Sequence, residues 1–279
     1  MKARTIPLLL TMAWLLAAGP ALAEAGAWDE GAASCGAASP AYQEDANAAD
    51  RRGDPPLLVA AATCPLLVVQ GLLRDGVDVN RRGRRGETAL LVAMRRDPAA
   101  PEIVLALLAA GADANARDGA GQPALLLALA RGQTRVARAL LRAGADANAR
   151  DRFGRTALFY ALHTDQADLL PALIAAGADV NARDPSGEAP LLVAIREGAT
   201  GLALALIAAG ADANVRDPAG RPALLLAVDR GHAAVVQALI RHGADLRARD
   251  PGGRTALALA TQHRYGAIAQ LLSDAGGEY

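Results

Sequence analysis

The sequence predicts an all-α protein made of stacked helical pairs, and three observations support this prediction. The motif Gly-Ala-Asp recurs every 33 residues from Gly111 to Gly243. A second motif ending in Leu recurs in phase with it, as in Thr156-Ala157-Leu158. The chain is 52% hydrophobic but only 3% aromatic, and 70 of its 279 residues are Ala. A short, regular period with small apolar side chains indicates a solenoid of thin layers that stack closely.

Each repeat contains signals for two helices and an extended return. In the unit from 118 to 150, residues 118–121 form a turn-rich stretch, and Pro123 is suited to the first position of a helix. Thr134–Arg142 has the apolar spacing of a second helix, and Gly144 follows where a left-handed cap is expected. Polar residues then alternate with Ala, which indicates an extended segment. The expected unit is therefore helix, tight turn, helix and a hairpin-like loop.

The first residues have the pattern of a signal peptide. Two basic residues precede an apolar run at 6–18, and the small-x-small sequence Ala21-Leu22-Ala23 follows. We expect residues 1–23 to be removed after Ala23, which places the protein in the periplasm or outside the cell; the alternative is an uncleaved anchor. The remaining chain has a net charge of about −2, so it has no whole-chain attraction to nucleic acid, and stable membrane insertion is not expected after cleavage.

Export changes the interpretation of the two cysteines. In an oxidising compartment an even number of cysteines usually forms disulfides. We therefore predict a Cys35–Cys64 bridge, which would join the Ala/Gly-rich segment at 24–54 to the start of the repeats. The alternative is two unpaired thiols.

The repeat motifs make the chain resemble ankyrin-repeat proteins. Gly231-His232 matches the family's Gly-His turn, and Gly210-Ala211-Asp212-Ala213-Asn214 matches its exit motif. The resemblance covers residues 55–279 and implies six to seven repeats, of which the first and last are degenerate. The family's helix-start His is absent, and its place is taken by Leu91, Leu126, Phe159, Leu192, Leu225 and Ala258.

No catalytic motif is present in the sequence after residue 23. That part of the chain has no Lys for a phosphate-binding loop, and its four His (His163, His232, His242 and His263) form no H-E-x-x-H motif. The recurring Asp and Asn of the exits are expected to form turn and hairpin hydrogen bonds, not a calcium site. We therefore predict a protein without enzymatic activity, cofactor or metal.

In this architecture the concave face, made of hairpin tips and the ends of the first helices, carries the partner site. Phe153 is the one aromatic residue placed at a tip, between two Arg residues, and exposed aromatics beside Arg are typical of binding hot spots. The alternative is that these Arg residues are ordinary solvated side chains and that Phe153 packs on a neighbouring hairpin. The predicted partner-binding residues are Arg84, Arg85, Arg95, Arg96, Arg131, Arg152, Phe153, Arg155, Arg196, Arg221, Arg230 and Arg254.

The function predicted from these observations is a monomeric periplasmic module that binds another protein with an acidic surface. Two roles stay open within this class: an accessory factor for a periplasmic enzyme, and an immunity or inhibitor protein that blocks a toxin or enzyme. An enzyme or metal-binding protein is the alternative from a different class, and onward secretion to a host target is a third possibility.

Overall fold

A computed structural model describes residues 53–96, 100–163 and 166–278, which fall into two compact units with their boundary between Ala112 and Asp113. The predicted signal peptide, its cleavage site at Ala23, and Cys35 lie outside the described residues. So does nearly all of the predicted segment 24–54. Each unit is described by itself below.

Unit 1, which ends at Ala112, contains two helical pairs among its described residues. The helices are α1 (Pro56–Thr63), α2 (Leu66–Arg74), α3 (Ala89–Arg95) and α4 (Pro101–Ala109). Helix α1 packs on α3, α2 packs on α4, and the two helices of each pair also contact each other. Leu57, Leu91 and Leu107 lie in the core that these contacts enclose, each 2% exposed or less.

Unit 2 contains the remaining ten α-helices of the described chain. They are α5 (Ala124–Ala130), α6 (Thr134–Arg142), α7 (Ala157–His163), α8 (Leu170–Ala175), α9 (Pro190–Arg196), α10 (Thr200–Ala208), α11 (Ala223–Asp229), α12 (Ala233–Arg241), α13 (Ala256–Gln262) and α14 (Gly266–Asp274). The first helices of the repeats (α5, α7, α9, α11 and α13) pack on one another in chain order. The described residues contain no β-strand, and the predicted all-α solenoid class is confirmed.

Small residues in the helices let neighbouring layers approach closely. Ala124, Ala128 and Ala137 are fully buried, and Leu125 and Leu140 fill the space between them. A leucine in such a core costs about 2–5 kcal/mol of stability when it is truncated to alanine. The high Ala content is therefore part of how the repeats stack.

Helix α6 ends in the predicted left-handed cap. Gly144 has φ 84°, a conformation that glycine adopts without steric cost. Its N–H donates to the carbonyl of Leu141, and the N–H of Ala145 donates to the carbonyl of Leu140. This is a Schellman motif, which satisfies carbonyl groups that the helix leaves unpaired.

The predicted position of Pro123 was wrong by one residue. Helix α5 begins at Ala124, and Pro123 precedes it in an extended conformation, with φ −62° and ψ 143°. The carbonyl of Pro123 accepts the first helical hydrogen bond from Leu127, while Pro123 also forms an antiparallel bridge with Arg117. Proline thus closes the hairpin here and sets the extended backbone that leads into the helix.

The recurring exit Asn connects consecutive repeats of unit 2. Asn148 Nδ2 donates to the carbonyl of Gly177 at 2.8 Å, and its Oδ1 accepts from the N–H of Asp179 at 2.7 Å. The equivalent Asn115, Asn181 and Asn214 bond in the same way to the repeats that follow them. The expectation that these residues form hairpin hydrogen bonds is confirmed.

The Arg at the base of each hairpin also has a structural role. Arg150 Nη1 lies 2.6 Å from the carbonyl oxygen of Gly154 in its own hairpin and 3.0 Å from that of Arg183 in the next. Arg117, Arg183 and Arg216 repeat this double contact. These guanidinium groups are therefore occupied by backbone contacts within the stack.

Cys64 lies in the turn between α1 and α2 and is completely buried. Arg96 Nη1 donates to its carbonyl oxygen at 2.7 Å. The structure leaves no cysteine free among the described residues. Because Cys35 lies outside them, the Cys35–Cys64 bridge stays a prediction.

Candidate protein-interaction surface

The hairpin tips of unit 2 have very different side chains on the same backbone frame. We define a tip as the two residues that follow the hairpin-base Asp. The five tips are Gly119-Ala120, Arg152-Phe153, Pro185-Ser186, Pro218-Ala219 and Pro251-Gly252. The second is the only one of these tips with two large side chains. Together with the residue four positions after each hairpin-base Asp and the C-terminal ends of the first helices, the tips of unit 2 are called the interaction surface below.

The turn under the Arg152-Phe153 tip is built by Asp151. Its Oδ1 accepts hydrogen bonds from the N–H groups of Phe153 (2.8 Å) and Arg155 (2.9 Å). This pattern, in which Asp bonds its own backbone a few residues on, is the ordinary reason for Asp in tight turns. Asp118 and Asp184 hold their tips in the same way. The frame of a tip is therefore set by its base and not by the tip residues.

Phe153 projects from the tip and is 54% exposed. The guanidinium carbon of Arg152 lies 4.6 Å from the centre of the Phe153 ring, and that of Arg155 lies 5.2 Å from it. Both distances are within the range of cation–π attraction. The prediction that Phe153 sits at a tip between two Arg side chains is correct in its geometry, and the ring has an accessible apolar area.

The Arg155 side chain bonds to residues of its own repeat. Its Nε lies 2.9 Å from Asp151 Oδ2, and its Nη2 donates to the Tyr160 hydroxyl at 3.0 Å. The Tyr160 hydroxyl in turn donates to Asp151 Oδ2 at 3.1 Å, and the Arg155 guanidinium also stacks over the Tyr160 ring at 4.8 Å. Asp151, Arg155 and Tyr160 thus form a closed network under Phe153.

The electrostatics of this network follow from burial and hydrogen bonding. Burial alone would raise the pKa of Asp151, but hydrogen bonds from Arg155, Phe153 and Tyr160 outweigh it and hold the pKa below 3.8. For Tyr160, burial and the hydrogen bond to the Asp151 carboxylate raise the pKa above 10.0. Near neutral pH the network therefore holds an ionised Asp151 and a neutral Tyr160.

Several of the other predicted Arg residues are neutralised by an acid eight positions away. Arg196 pairs with Glu188 in unit 2, and Arg95 pairs with Glu87 in unit 1. At the same two positions of a later repeat the charges are reversed, because Arg221 lies 3.3 Å from Asp229. Each pair joins the segment just after a tip to the end of the following helix.

The remaining predicted Arg residues divide into bonded and unbonded groups. Arg254 pairs with the buried Asp250, Arg96 and Arg230 donate to backbone carbonyls, and Arg131 lies at the C-terminal end of α5. Three predicted Arg side chains have no hydrogen bond or ion pair with any described residue. They are Arg84 and Arg85 in unit 1 and Arg152 in unit 2.

Tyr160 was not among the site residues predicted from the sequence. The repeat alignment could have identified it, because the other repeats have an aliphatic residue at the same register position: Val92, Leu127, Val193, Leu226 and Leu259. A polar aromatic at an otherwise aliphatic position indicates a hydrogen-bonding partner nearby. That partner is the Asp151–Arg155 pair.

In the described part of the chain, no group of three or more His, Cys, Asp or Glu residues has the arrangement needed to hold a metal ion. No helix in that part combines the length and apolar character that crossing a membrane requires.

The fold and the tips together define a helical-repeat scaffold that presents variable side chains on a constant frame. The family model for ankyrin repeats (three copies) matches residues 91–184 and 191–279, well over half of the chain. The chain therefore belongs to the ankyrin-repeat family. Ankyrin repeats generally mediate protein–protein interaction and are typically non-catalytic.

One similar solved structure is an ankyrin repeat domain from Acinetobacter baumannii. It has 29% sequence identity to this chain and a TM-score of 0.59, and the match covers 68% of this chain and 97% of that one. No curated protein sequence matches significantly.

Proposed function

We propose that this ankyrin-repeat protein is a non-enzymatic module of the periplasm or the extracellular space, which binds a partner protein through its interaction surface. The observation that carries this proposal is the exposure of Phe153. Among the described residues, Leu67 and Phe153 are the only large apolar side chains that are exposed to solvent. Phe153 alone of these two lies on a hairpin tip, next to guanidinium groups. Aromatic and Arg side chains together dominate binding energy in many protein interfaces.

The partner is expected to have an acidic surface. On the interaction surface, Arg152 has no acid to neutralise it among the described residues. Guanidinium groups bind carboxylates through paired N–H donors, and such contacts also speed the encounter of two proteins. Raising the salt concentration should therefore weaken binding, mainly through slower association.

Export rests on the pattern of the first 23 residues, which precede the described part of the chain. Fractionation of cells that express the full chain should place the protein outside the cytoplasm. Sequencing of its N-terminus should begin at Glu24. A protein that starts at Met1 and stays in the cytoplasm would rule out this part of the proposal.

The partner can be captured by placing a photo-crosslinking amino acid at position 153 of the full chain in living cells. The matched control has the same amino acid at Gln237, an exposed position on α12. We expect a protein that crosslinks from 153 and not from 237. If no protein crosslinks specifically from 153, the proposed function is wrong.

Binding of the purified partner then tests the site and its role. Phe153→Ala should weaken binding by about tenfold or more, because a buried aromatic anchor is worth at least 1–2 kcal/mol. Leu67→Ala, the matched change at the other exposed apolar residue, should leave binding within about twofold. A captured toxin or enzyme that loses activity on binding indicates an inhibitor or immunity role, and an enzyme that gains activity indicates an accessory role.

A further inference from the structure

The interaction surface of unit 2 has far less uncompensated charge than its sequence implies. Arg155, Arg196, Arg221 and Arg254 each form an ion pair with an acid of their own repeat. Arg230 donates to the carbonyl of Arg196 at 2.8 Å. A partner with many acidic side chains would have to break these ion pairs to form new ones. The exchange would therefore contribute little binding free energy.

Arg152 differs from these residues. It has no hydrogen bond or ion pair with the described residues, and its guanidinium carbon lies 4.6 Å from the centre of the Phe153 ring. A guanidinium group that stacks on a ring keeps its in-plane N–H donors available, and stacking reduces the freedom it would lose on binding. Arg152 is therefore a preorganised donor beside an apolar platform.

The backbone under these two residues is held firmly. Asp151 bonds the N–H groups of Phe153 and Arg155. Gly154, with φ 73°, lies so close to the next hairpin that an added Cβ would come within 2.8 Å of Pro185 Cγ. A tip fixed at its base and against its neighbour presents Arg152 and Phe153 at little entropic cost.

From this arrangement we infer that the tip recognises a short segment in which one apolar side chain lies beside a single carboxylate. The apolar side chain packs on Phe153, and the carboxylate accepts N–H donors from Arg152. This inference rests on the proposed function and narrows it. The recognised element is one apolar side chain next to one carboxylate, because a single guanidinium group can bind a single carboxylate. Further acidic residues in the segment would not strengthen binding at this tip.

A phage-displayed library of random 12-residue peptides tests the inference without the natural partner. Selection on the immobilised full-length chain should enrich peptides with one Asp or Glu within a few positions of an aromatic or large aliphatic residue. Enrichment of peptides with runs of acidic residues, or no enrichment at all, would overturn the inference.

Synthetic peptides from the selection then assign the roles of the two residues. Arg152→Ala and Phe153→Ala should each weaken binding by about tenfold. Arg241→Ala removes an exposed Arg on α12 that has no hydrogen bond or ion pair with the described residues, and it should change binding less than about twofold. Arg152→Lys keeps the charge but loses the planar stack, so most of the loss should remain.

Melting temperatures of all four variants should match that of the unaltered chain, because these side chains contribute little to the fold. Unchanged binding in Arg152→Ala would overturn the assignment of the carboxylate site. This outcome differs from failure of the proposed function, in which no cellular protein crosslinks from position 153.

Discussion

Asn148 is bonded through its side-chain amide to the carbonyl of Gly177, with 2.8 Å between Nδ2 and the oxygen. Its Oδ1 accepts the N–H of Asp179 in the same neighbouring repeat. One side chain therefore satisfies a donor and an acceptor of a loop that has no strand partners. Because the contact crosses between repeats, it contributes to the stacking energy and not to the stability of a single unit.

Asn148→Ala should lower the free energy of unfolding by about 1–3 kcal/mol, since it removes both hydrogen bonds and leaves two backbone groups dependent on water. Urea titration followed by circular dichroism measures this change. Gln237→Ala removes an exposed amide with no hydrogen bond to the described residues and should cost less than about 0.5 kcal/mol. Equal losses in the two variants would contradict a role for Asn148 in stacking.

Thr156 and Thr255 occupy the same register position but differ in bonding. Thr255 Oγ1 accepts the N–H of Ala258 at 3.3 Å, whereas the buried Thr156 Oγ1 has no partner among the described residues. Thr255→Val should therefore destabilise the protein by about 1 kcal/mol through loss of the cap. Thr156→Val should be neutral or stabilising, because it removes an unsatisfied polar atom. Thermal unfolding should show a loss of stability in Thr255→Val and no loss in Thr156→Val, and a similar loss in both would contradict this interpretation of Thr156.

Acid should destabilise the protein partly through two buried hairpin-base carboxylates. For Asp151 and Asp250, burial would raise the pKa, but bonds from Arg155 and Arg254 respectively, with other donors, bring it below 3.8. A lowered folded-state pKa gives stability that is complete above the unfolded-state pKa of about 4 and is lost as pH falls through the folded-state value.

Asp151→Asn and Asp250→Asn should each be less stable than the unaltered chain near pH 7 and should lose less stability between pH 5 and pH 3. Urea titrations at several pH values give both quantities. The same pH dependence in the variants and in the unaltered chain would show that these carboxylates do not contribute to it.

The predicted Cys35–Cys64 bridge should make stability depend on reductant. On the chain-entropy account, closing a loop of about 29 residues is worth about 3–4 kcal/mol. The exported protein should therefore show no reactive thiol when denatured without reductant and should lose about this much stability when reduced. Cys35→Ser should show one thiol and the stability of the reduced chain, and two thiols in the unaltered protein would exclude the bridge.

The repeat period predicts the helices and loops of this fold closely. Helix α6, for example, has the bounds expected from Thr134 to Arg142, and Gly144 adopts the expected left-handed conformation. These features depend on local preferences and on a spacing repeated many times, so the signal is strong. Pro123 lies one residue from its expected place because proline suits both the last extended position and the first helical one.

The charge balance of the interaction surface was less accessible from the sequence. The separation between Glu188 and Arg196 matches neither the helix period nor strand alternation, because the chain turns between a loop and a helix. Aligned repeats do indicate the contact, because the acidic and basic residues at 188 and 196 are replaced by a basic and an acidic residue at 221 and 229. The Arg positions alone would suggest a strongly basic surface, whereas Arg155, Arg196, Arg221 and Arg254 are each paired with an acid in the structure.

The constant frame beneath the tips has an evolutionary consequence. Since Asp at the base and Gly three residues later build the turn, the two residues between them can change without loss of the turn itself. Four tips of unit 2 have only small or proline residues. One or two substitutions at such a tip could therefore create a new binding specificity. Moving Arg-Phe from 152–153 to 185–186 would relocate a binding site by one repeat, and such a chain could acquire a different partner while its core stays the same.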